Sequence, residues 1–330
     1  MLPLKNFSLA TPKNLDELKS LLSSSDEKTK LIAGGTDLLP NLKHGLYDIS
    51  CLISLKNIRE FQDIIINPLS LELGAFVKLD ELCEHKNIQE LFPAISFAAS
   101  HIASPNLRNM GTVGGNLCLD TRCCYFNQSE MWRKALNYCL KKDGDSCHVV
   151  KTGKRCVAAS SNDLATILLA YNSVITIMSP EQEQDILLAD FYTNNGEKNN
   201  ILEPNQVVTR VKLTCQANTY AGFAKLRHRE SIDFSLLSIG VVFSLDNNIF
   251  DQGRLVINSL VAKPKIIDLN IYNNKIYDQD LVNSIAKKAK EICHPQTNIY
   301  DDSEWRKDMI EYYTQKAFAQ AYMSGNNLCC

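Results

Sequence analysis

No apolar run in the 330 residues approaches the roughly 18 that cross a bilayer as a helix, so a soluble protein with no membrane span is expected. The first residues, MLPLKNFSLATPKN, lack a basic segment followed by an apolar core, which argues against a secretory signal and points to the cytoplasm. Lys and Arg are scattered and the net charge is only -2, leaving no electrostatic reason to expect nucleic acid. Neither GxGxxG nor a Walker loop occurs, so neither a Rossmann nor a P-loop assignment is licensed. No Ser-His-Asp arrangement is visible. The histidines, His44, His85, His101, His148, His228 and His294, are dispersed and default to surface or structural roles. Internal repeats and low-complexity segments are also missing.

What is present is ordinary globular material, 45% hydrophobic and 22% charged, long enough for two or three cores. Cysteine is the exception, at twelve residues. Cys329 and Cys330 end the chain and are expected to do no more than sit on a frayed end. Four others, Cys123, Cys139, Cys147 and Cys156, fall in one polar, aromatic and basic loop over 122–158 with the spacing C-x15-C-x7-C-x8-C. That loop reads neither as a strand nor as one long amphipathic helix. In a reducing compartment structural disulfides are disfavoured, and four gathered thiolates point to a metal centre. Zinc accepts four thiolates, but structural zinc sites usually show paired C-x2-4-C knuckles, and only Cys123 and Cys124 come close. The wide, unequal gaps suit an iron-sulfur cluster, whose corners are reached from separate turns. Zinc and unligated cysteines stay open as alternatives.

Taken in order, residues 12–24 predict a short amphipathic helix beginning at Pro12, with Leu15, Leu18, Leu21 and Leu22 on one face. A buried strand over 30–33 breaks into Gly34-Gly35-Thr36-Asp37. Bare backbone N–H groups there can face a pyrophosphate, although a plain glycine turn explains the segment taken alone. Strands are expected over 51–55 and 70–74, and helices over 78–85 and 94–102. A second glycine site, Gly111-Thr112-Val113-Gly114-Gly115-Asn116, follows about 80 residues after the first, so the two could clamp a diphosphate or be unrelated turns. Strands over 174–178, 207–213 and 237–245, and helices over 278–292 and 303–322, complete the expectation, with a domain boundary near 216–219.

Ala33-Gly34-Gly35-Thr36-Asp37, then Ile102-Ala103-Ser104 with Leu107-Arg108-Asn109, then Thr112-Val113-Gly114-Gly115-Asn116, closely resemble the FAD-binding medium subunits of the molybdenum hydroxylases, a family that includes the flavin subunits of xanthine and carbon monoxide dehydrogenases. The resemblance implies an α+β fold. A two-part FAD-binding domain of the vanillyl-alcohol-oxidase/PCMH type would cover 1–216, with subdomains of about 1–55 and 56–216, and a C-terminal α+β domain of the carbon monoxide dehydrogenase flavoprotein type would cover 217–330. In most of the family the Gly-Gly-Asn segment leads quickly to Ser-Asp and an apolar helix. Here Ser161-Asn162-Asp163-Leu164-Ala165 comes only after the cysteine loop, which marks 122–158 as an insertion at the flavin site.

The insertion is similar to that of the flavin subunits of 4-hydroxybenzoyl-CoA reductases. That likeness implies a [4Fe-4S] cluster on Cys123, Cys139, Cys147 and Cys156; Cys124 has no place in the pattern but stays open as the alternative to Cys123 for the first ligand. Trp132, Tyr138 and His148 are expected to pack around it. FAD would be held by Ile32, Ala33, Gly34, Gly35, Thr36, Asp37, Ala103, Ser104, Asn109, Thr112, Gly114, Gly115, Asn116 and Asp163. Lys225 would lie near the flavin, its plain alternative being a solvated strand lysine. The implied partners are a large molybdopterin catalytic subunit, a small [2Fe-2S] subunit and ferredoxin as donor, in a dimer of heterotrimers that reductively dehydroxylates an aromatic acyl-CoA. Two other functions stay open: a xanthine or aldehyde dehydrogenase-like flavin subunit passing electrons to NAD or another acceptor, and a non-redox protein with a zinc-stabilised loop.

Overall fold

Three sheets carry the chain in a computed structural model that describes residues 3–325; Cys329 and Cys330 lie outside the described residues. The first sheet is parallel, β1 (Ser8–Ala10), β2 (Thr29–Ile32) and β3 (Cys51–Ser54) in the order β1-β3-β2. Parallel neighbours need crossovers, and the helix Leu15–Ser23 supplies the one between β1 and β2. Leu18 and Leu22, four apart and hence on one face, are fully buried beneath it. This helix starts at Leu15 rather than Pro12, because Asn14 caps it: its side-chain oxygen accepts the Glu17 N–H at 2.9 Å.

The second sheet is antiparallel, with β4 (Ile64–Asn67), β5 (Ser70–Gly74), β6 (Val174–Met178), β7 (Glu183–Leu187) and β8 (Val207–Thr214) in the order β4-β5-β8-β6-β7. The helices Leu79–Glu84, Lys86–Leu91, Pro93–Ser100 and Asp163–Ala170 close over it around one large apolar core. The third sheet, β9 (Thr219–Leu226), β10 (Leu237–Asp246), β11 (Ile249–Asn258) and β12 (Lys265–Asp268), is antiparallel in the order β12-β11-β10-β9. Alternate residues of β9 go to different cores. Phe223 joins the core of the second sheet, while Ala224 and Leu226 join a separate core under the helices Gln279–Ile292 and Ser303–Gly325. The mixture of sheets and helices is the expected α+β class.

The segment 122–158 leaves and re-enters this framework through one doorway. Arg122 and Ala159 exchange both backbone hydrogen bonds at 2.7 Å, so the two ends of the excursion are stitched together. Inside it stands one short helix, Glu130–Ala135, capped by Ser129. Arg133 is almost fully buried and donates to the carbonyls of His44 and Gly45 at 3.0 and 3.1 Å. Asn298 pins the other side, donating to the Val157 carbonyl at 2.6 Å while its own carbonyl accepts from Cys124 N–H at 2.8 Å. Among the described residues no helix is long and apolar enough to cross a membrane.

Candidate flavin and cysteine sites

A cavity of about 680 Å³ opens between the first and second sheets, a size common for cofactor sites. Ile32, Ala33, Gly34, Gly35, Thr36 and Asp37 line one wall, and Ala103, Thr112, Gly114, Gly115 and Asn116 the other. The two glycine segments are in contact. A Cβ on Gly34 would sit 1.9 Å from the Met110 carbonyl oxygen, so only glycine permits the approach. Gly35 takes the left-handed conformation, φ +69°, that turns the chain into the helix Leu38–Lys43. On the opposite wall Thr112 Oγ1 accepts the Gly115 N–H at 3.1 Å, and Asn116 Oδ1 accepts the Leu164 N–H at 3.2 Å. Ala103 also adopts a positive φ, +49°, and its carbonyl accepts the N–H of Ile232, φ +55°, at 2.9 Å. An alanine held in this region on a cavity wall is a costly arrangement of the kind that clusters at functional sites.

Four residues named from the sequence do not line the cavity: Ser104, Asn109, Asp163 and Lys225. Ser104 caps the short helix Pro105–Arg108, and Asn109 is exposed. Asp163 and Lys225 form a buried ion pair at 2.6 Å instead of a solvated lysine and a free carboxylate. The ammonium also donates to the carbonyls of His101 and Asp233, each at 2.9 Å, whereas Asp163 Oδ1 has no hydrogen-bond partner. Lys225 therefore fixes two backbone positions next to cavity-lining Ile102 and Phe234, by way of His101 and Asp233. Sequence reasoning also missed Tyr47, Phe76 and Asp120, and the wall 197–208, none of which carries a motif.

Beside the first cavity is a second, small one, lined by Cys123, Cys139, Cys147 and Cys156 together with Tyr125, Phe126, Lys141 and His148. All four thiols are free, and the last three are buried. Cys124 points elsewhere, toward the Thr297 carbonyl at 4.0 Å, so Cys123 is the member of the adjacent pair that faces the cavity. Burial pushes the Cys156 thiol up to about 12, against the pull of the Ala158 N–H and the Lys141 ammonium. Backbone N–H groups of Val150 and Ala158 donate to the sulfurs of Cys147 and Cys156 at 3.5 and 3.4 Å. Positive φ values at Asn137, Tyr138 and Asp143 wrap the chain around Cys139. Trp132 lies off the cavity, its ring 6.3 Å from that of Tyr125, while the His148 ring nitrogen pairs with the Tyr138 carbonyl at 2.5 Å. Among the described residues no three His, Cys, Asp or Glu side chains converge closely enough to hold a single metal ion.

Residues lining neither cavity bridge the two. Gly196 packs on the Cys156 sulfur, where a Cβ would lie 2.8 Å away, and the next residues, Glu197, Lys198, Asn199 and Asn200, line the large cavity. Arg122, at the neck of the excursion, pairs with Asp37 of the first glycine segment and lies 4.3 Å over the Phe234 ring. Burial lowers the Arg122 guanidinium to about 10.

A two-walled glycine cradle of this size, entered between a parallel and an antiparallel sheet, is that of a dinucleotide-binding protein. Residues 5–213 match the family described as the FAD binding domain in molybdopterin dehydrogenase. The chain is 30% identical to the FAD-binding subunit of an Escherichia coli K12 aldehyde oxidoreductase, over 71% of this chain and 76% of that one. It is 22% identical to the carbon monoxide dehydrogenase medium chain of Hydrogenophaga pseudoflava, over 96% and 97% of the two. The solved carbon monoxide dehydrogenase from that organism superposes with a TM-score of 0.78 at 20% identity, covering 98% of this chain and 99% of that one. This chain belongs to the FAD-binding family of the molybdenum hydroxylases and is an oxidoreductase subunit of that family.

Proposed function

We propose that this chain is an electron-transfer subunit that holds FAD in the large cavity and a [4Fe-4S] cluster on Cys123, Cys139, Cys147 and Cys156. The observation that carries the reading is that four free thiols, drawn from 34 positions of one stitched excursion, line a single cavity close beside the flavin cradle. The wide, unequal gaps between the four cysteines suit a multi-iron cluster, reached from separate turns, over a lone zinc held by paired knuckles. When bound, FAD exchanges one or two electrons and the cluster exchanges one. The chain's own groups do the holding. Gly34, Gly35 and Thr36 offer backbone to a diphosphate, Thr112, Gly114, Gly115 and Asn116 face them, and Ile32, Ala33, Asp37 and Ala103 complete the cradle. Asp163 and Lys225 act from behind, by fixing the His101 and Asp233 carbonyls.

Residues 1–216 and 217–330 are proposed as the two domains, supported by the change of sheet between β8 and β9. A large molybdopterin subunit and a small [2Fe-2S] subunit, in a dimer of heterotrimers, are the proposed partners; the relatives' own names, medium chain and FAD-binding subunit, support a multi-subunit setting. Free buried thiols favour a reducing, cytoplasmic location. The sequence of the insertion supports a 4-hydroxybenzoyl-CoA reductase-like role, with ferredoxin donating electrons for removal of a phenolic hydroxyl. The likeness to aldehyde oxidoreductase and xanthine dehydrogenase subunits is equally consistent with a second reading, in which an aldehyde or purine is oxidised and the electrons pass to NAD or another acceptor.

Anaerobic purification tests the cofactors. Four irons and four acid-labile sulfides per FAD, lost in Cys147→Ser with flavin retained, are the expected result. One zinc with no iron refutes the cluster. Turnover of the whole complex, with an aromatic acyl-CoA and reduced ferredoxin or with an aldehyde and NAD, then separates the two directions.

A further inference from the structure

Lys141 is a cation in an unusual place. It lines the cysteine cavity, its side chain is 2% exposed, and its ammonium lies 4.8 Å over the Phe126 ring. It donates to Thr121 Oγ1 at 2.7 Å, to the Gly196 carbonyl and to Asp120 Oδ1 at 2.8 Å. Asp120 is divided between the two sites. While Oδ1 takes Lys141, Oδ2 accepts the Tyr47 hydroxyl at 2.8 Å, and both Tyr47 and Asp120 line the flavin cavity. A buried ammonium costs several kcal/mol in desolvation unless it is paired and fully hydrogen-bonded, so its retention here calls for a reason.

We propose that Lys141 is a potential-tuning residue of the cysteine site and that Asp120, anchored from the flavin side by Tyr47, positions it and sets how much of its charge the site feels. This rests on the cluster reading above. Adding an electron makes a thiolate-ligated cluster more negative, so a neighbouring fixed cation stabilises the reduced form and raises the potential, and a neighbouring fixed anion lowers it. Removing the two partners therefore moves the potential in opposite directions, which general loosening of the loop does not do.

The test is an EPR-monitored redox titration of the anaerobic holoenzyme and of K141M, D120N and Y47F, each checked for iron and FAD content. K141M is expected to shift the cluster's own equilibrium with the titration mediators at least tenfold toward oxidised cluster, 59 mV or more for one electron. D120N, which keeps the shape of the carboxylate, is expected to shift it toward reduced cluster. Y47F is expected to follow D120N weakly, because the aspartate loses its anchor without losing its charge. Shifts of K141M and D120N in the same direction, or both under twofold, overturn the inference. If K141M loses its iron, the sign of the D120N shift decides alone. A wild-type protein that holds FAD but no iron refutes the cluster reading itself and is told apart by the metal analysis before any variant is made.

Discussion

Replacing Gly34 with alanine should weaken FAD binding without unfolding the protein. The added Cβ would lie 1.9 Å from the Met110 carbonyl oxygen and 2.6 Å from its carbon, where real contacts do not come under 3.0 Å. The two glycine segments must therefore part by roughly 1.1 Å, the shortfall between those distances. Both neighbours are backbone, so no side chain can rotate away. Overpacking of this kind costs about 1–3 kcal/mol. If the empty protein relieves that strain by opening the cradle, binding must restore it, and the Kd for FAD should rise roughly 5- to 150-fold, taking ~1.4 kcal/mol per factor of ten. Gly115→Ala, on the facing wall of the cradle, is the comparison. Its Cβ would meet only Thr112 Oγ1, at 2.9 Å, a hydroxyl free to turn at the expense of a helix cap worth ~1 kcal/mol. Flavin titration of deflavinated protein, followed by fluorescence quenching, measures both. A Gly34→Ala protein that binds FAD within twofold of wild type, or no more weakly than Gly115→Ala, would refute the reasoning.

Gly196→Ala places a Cβ 2.8 Å from the Cys156 sulfur and should lower iron content severalfold while FAD stays bound, as read from the iron-to-flavin ratio. Lys225→Met strands the Asp163 carboxylate, of which one oxygen already lacks a partner, and should destabilise the fold by about 3–5 kcal/mol in a urea titration. Thr176→Val addresses pH. The Thr176 hydroxyl, donating at 2.6 Å, and then Lys212 hold the Asp185 carboxyl below its usual range. A depressed carboxylate lends stability that is complete above its unfolded pKa and is lost as pH falls through its folded one. Wild type should thus lose more of its urea midpoint between pH 5 and pH 3 than Thr176→Val; equal losses would exclude the contribution.

How far the sequence could be read depends on how local each signal is. The strands over 70–74 and 174–178 came out at the expected residues, because apolar alternation is written within the strand itself. β7 went unseen: it is an edge strand, largely solvent-facing, and its residues EQDIL show no alternation. β4 was missed as well, being four residues long. The glycine segments were legible as close-approach backbone, yet that they touch each other depends on Met110, which no pattern marks. Asp163 was visible as an acid at the head of an apolar helix. Its partner lies 62 positions away, so the sequence could not distinguish a carboxylate turned to a ligand from one consumed by an internal ion pair. The divided carboxylate of Asp120 was hidden for the same reason, with Tyr47 73 positions before it and Lys141 21 after.

The position of the excursion explains how a second site could be added to the cradle. The entropy of closing a loop grows only slowly with its length, so a long insertion is tolerated when its ends already lie side by side. The paired backbone of Arg122 and Ala159 meets that condition, and the helix that must follow, Asp163–Ala170, starts where the sheet requires it. A merely tolerated loop would touch little. This one sends Arg133 back to the carbonyls of His44 and Gly45, takes Asn298 from the C-terminal half, and presses Arg122 onto Asp37 of the glycine segment. Any displacement of the cysteines is thereby transmitted to the cradle walls. On the proposed cluster reading, loss of the cluster should therefore raise the Kd for FAD even though no cysteine of the set lines the flavin cavity, and flavin titration of Cys147→Ser against wild type measures that coupling directly.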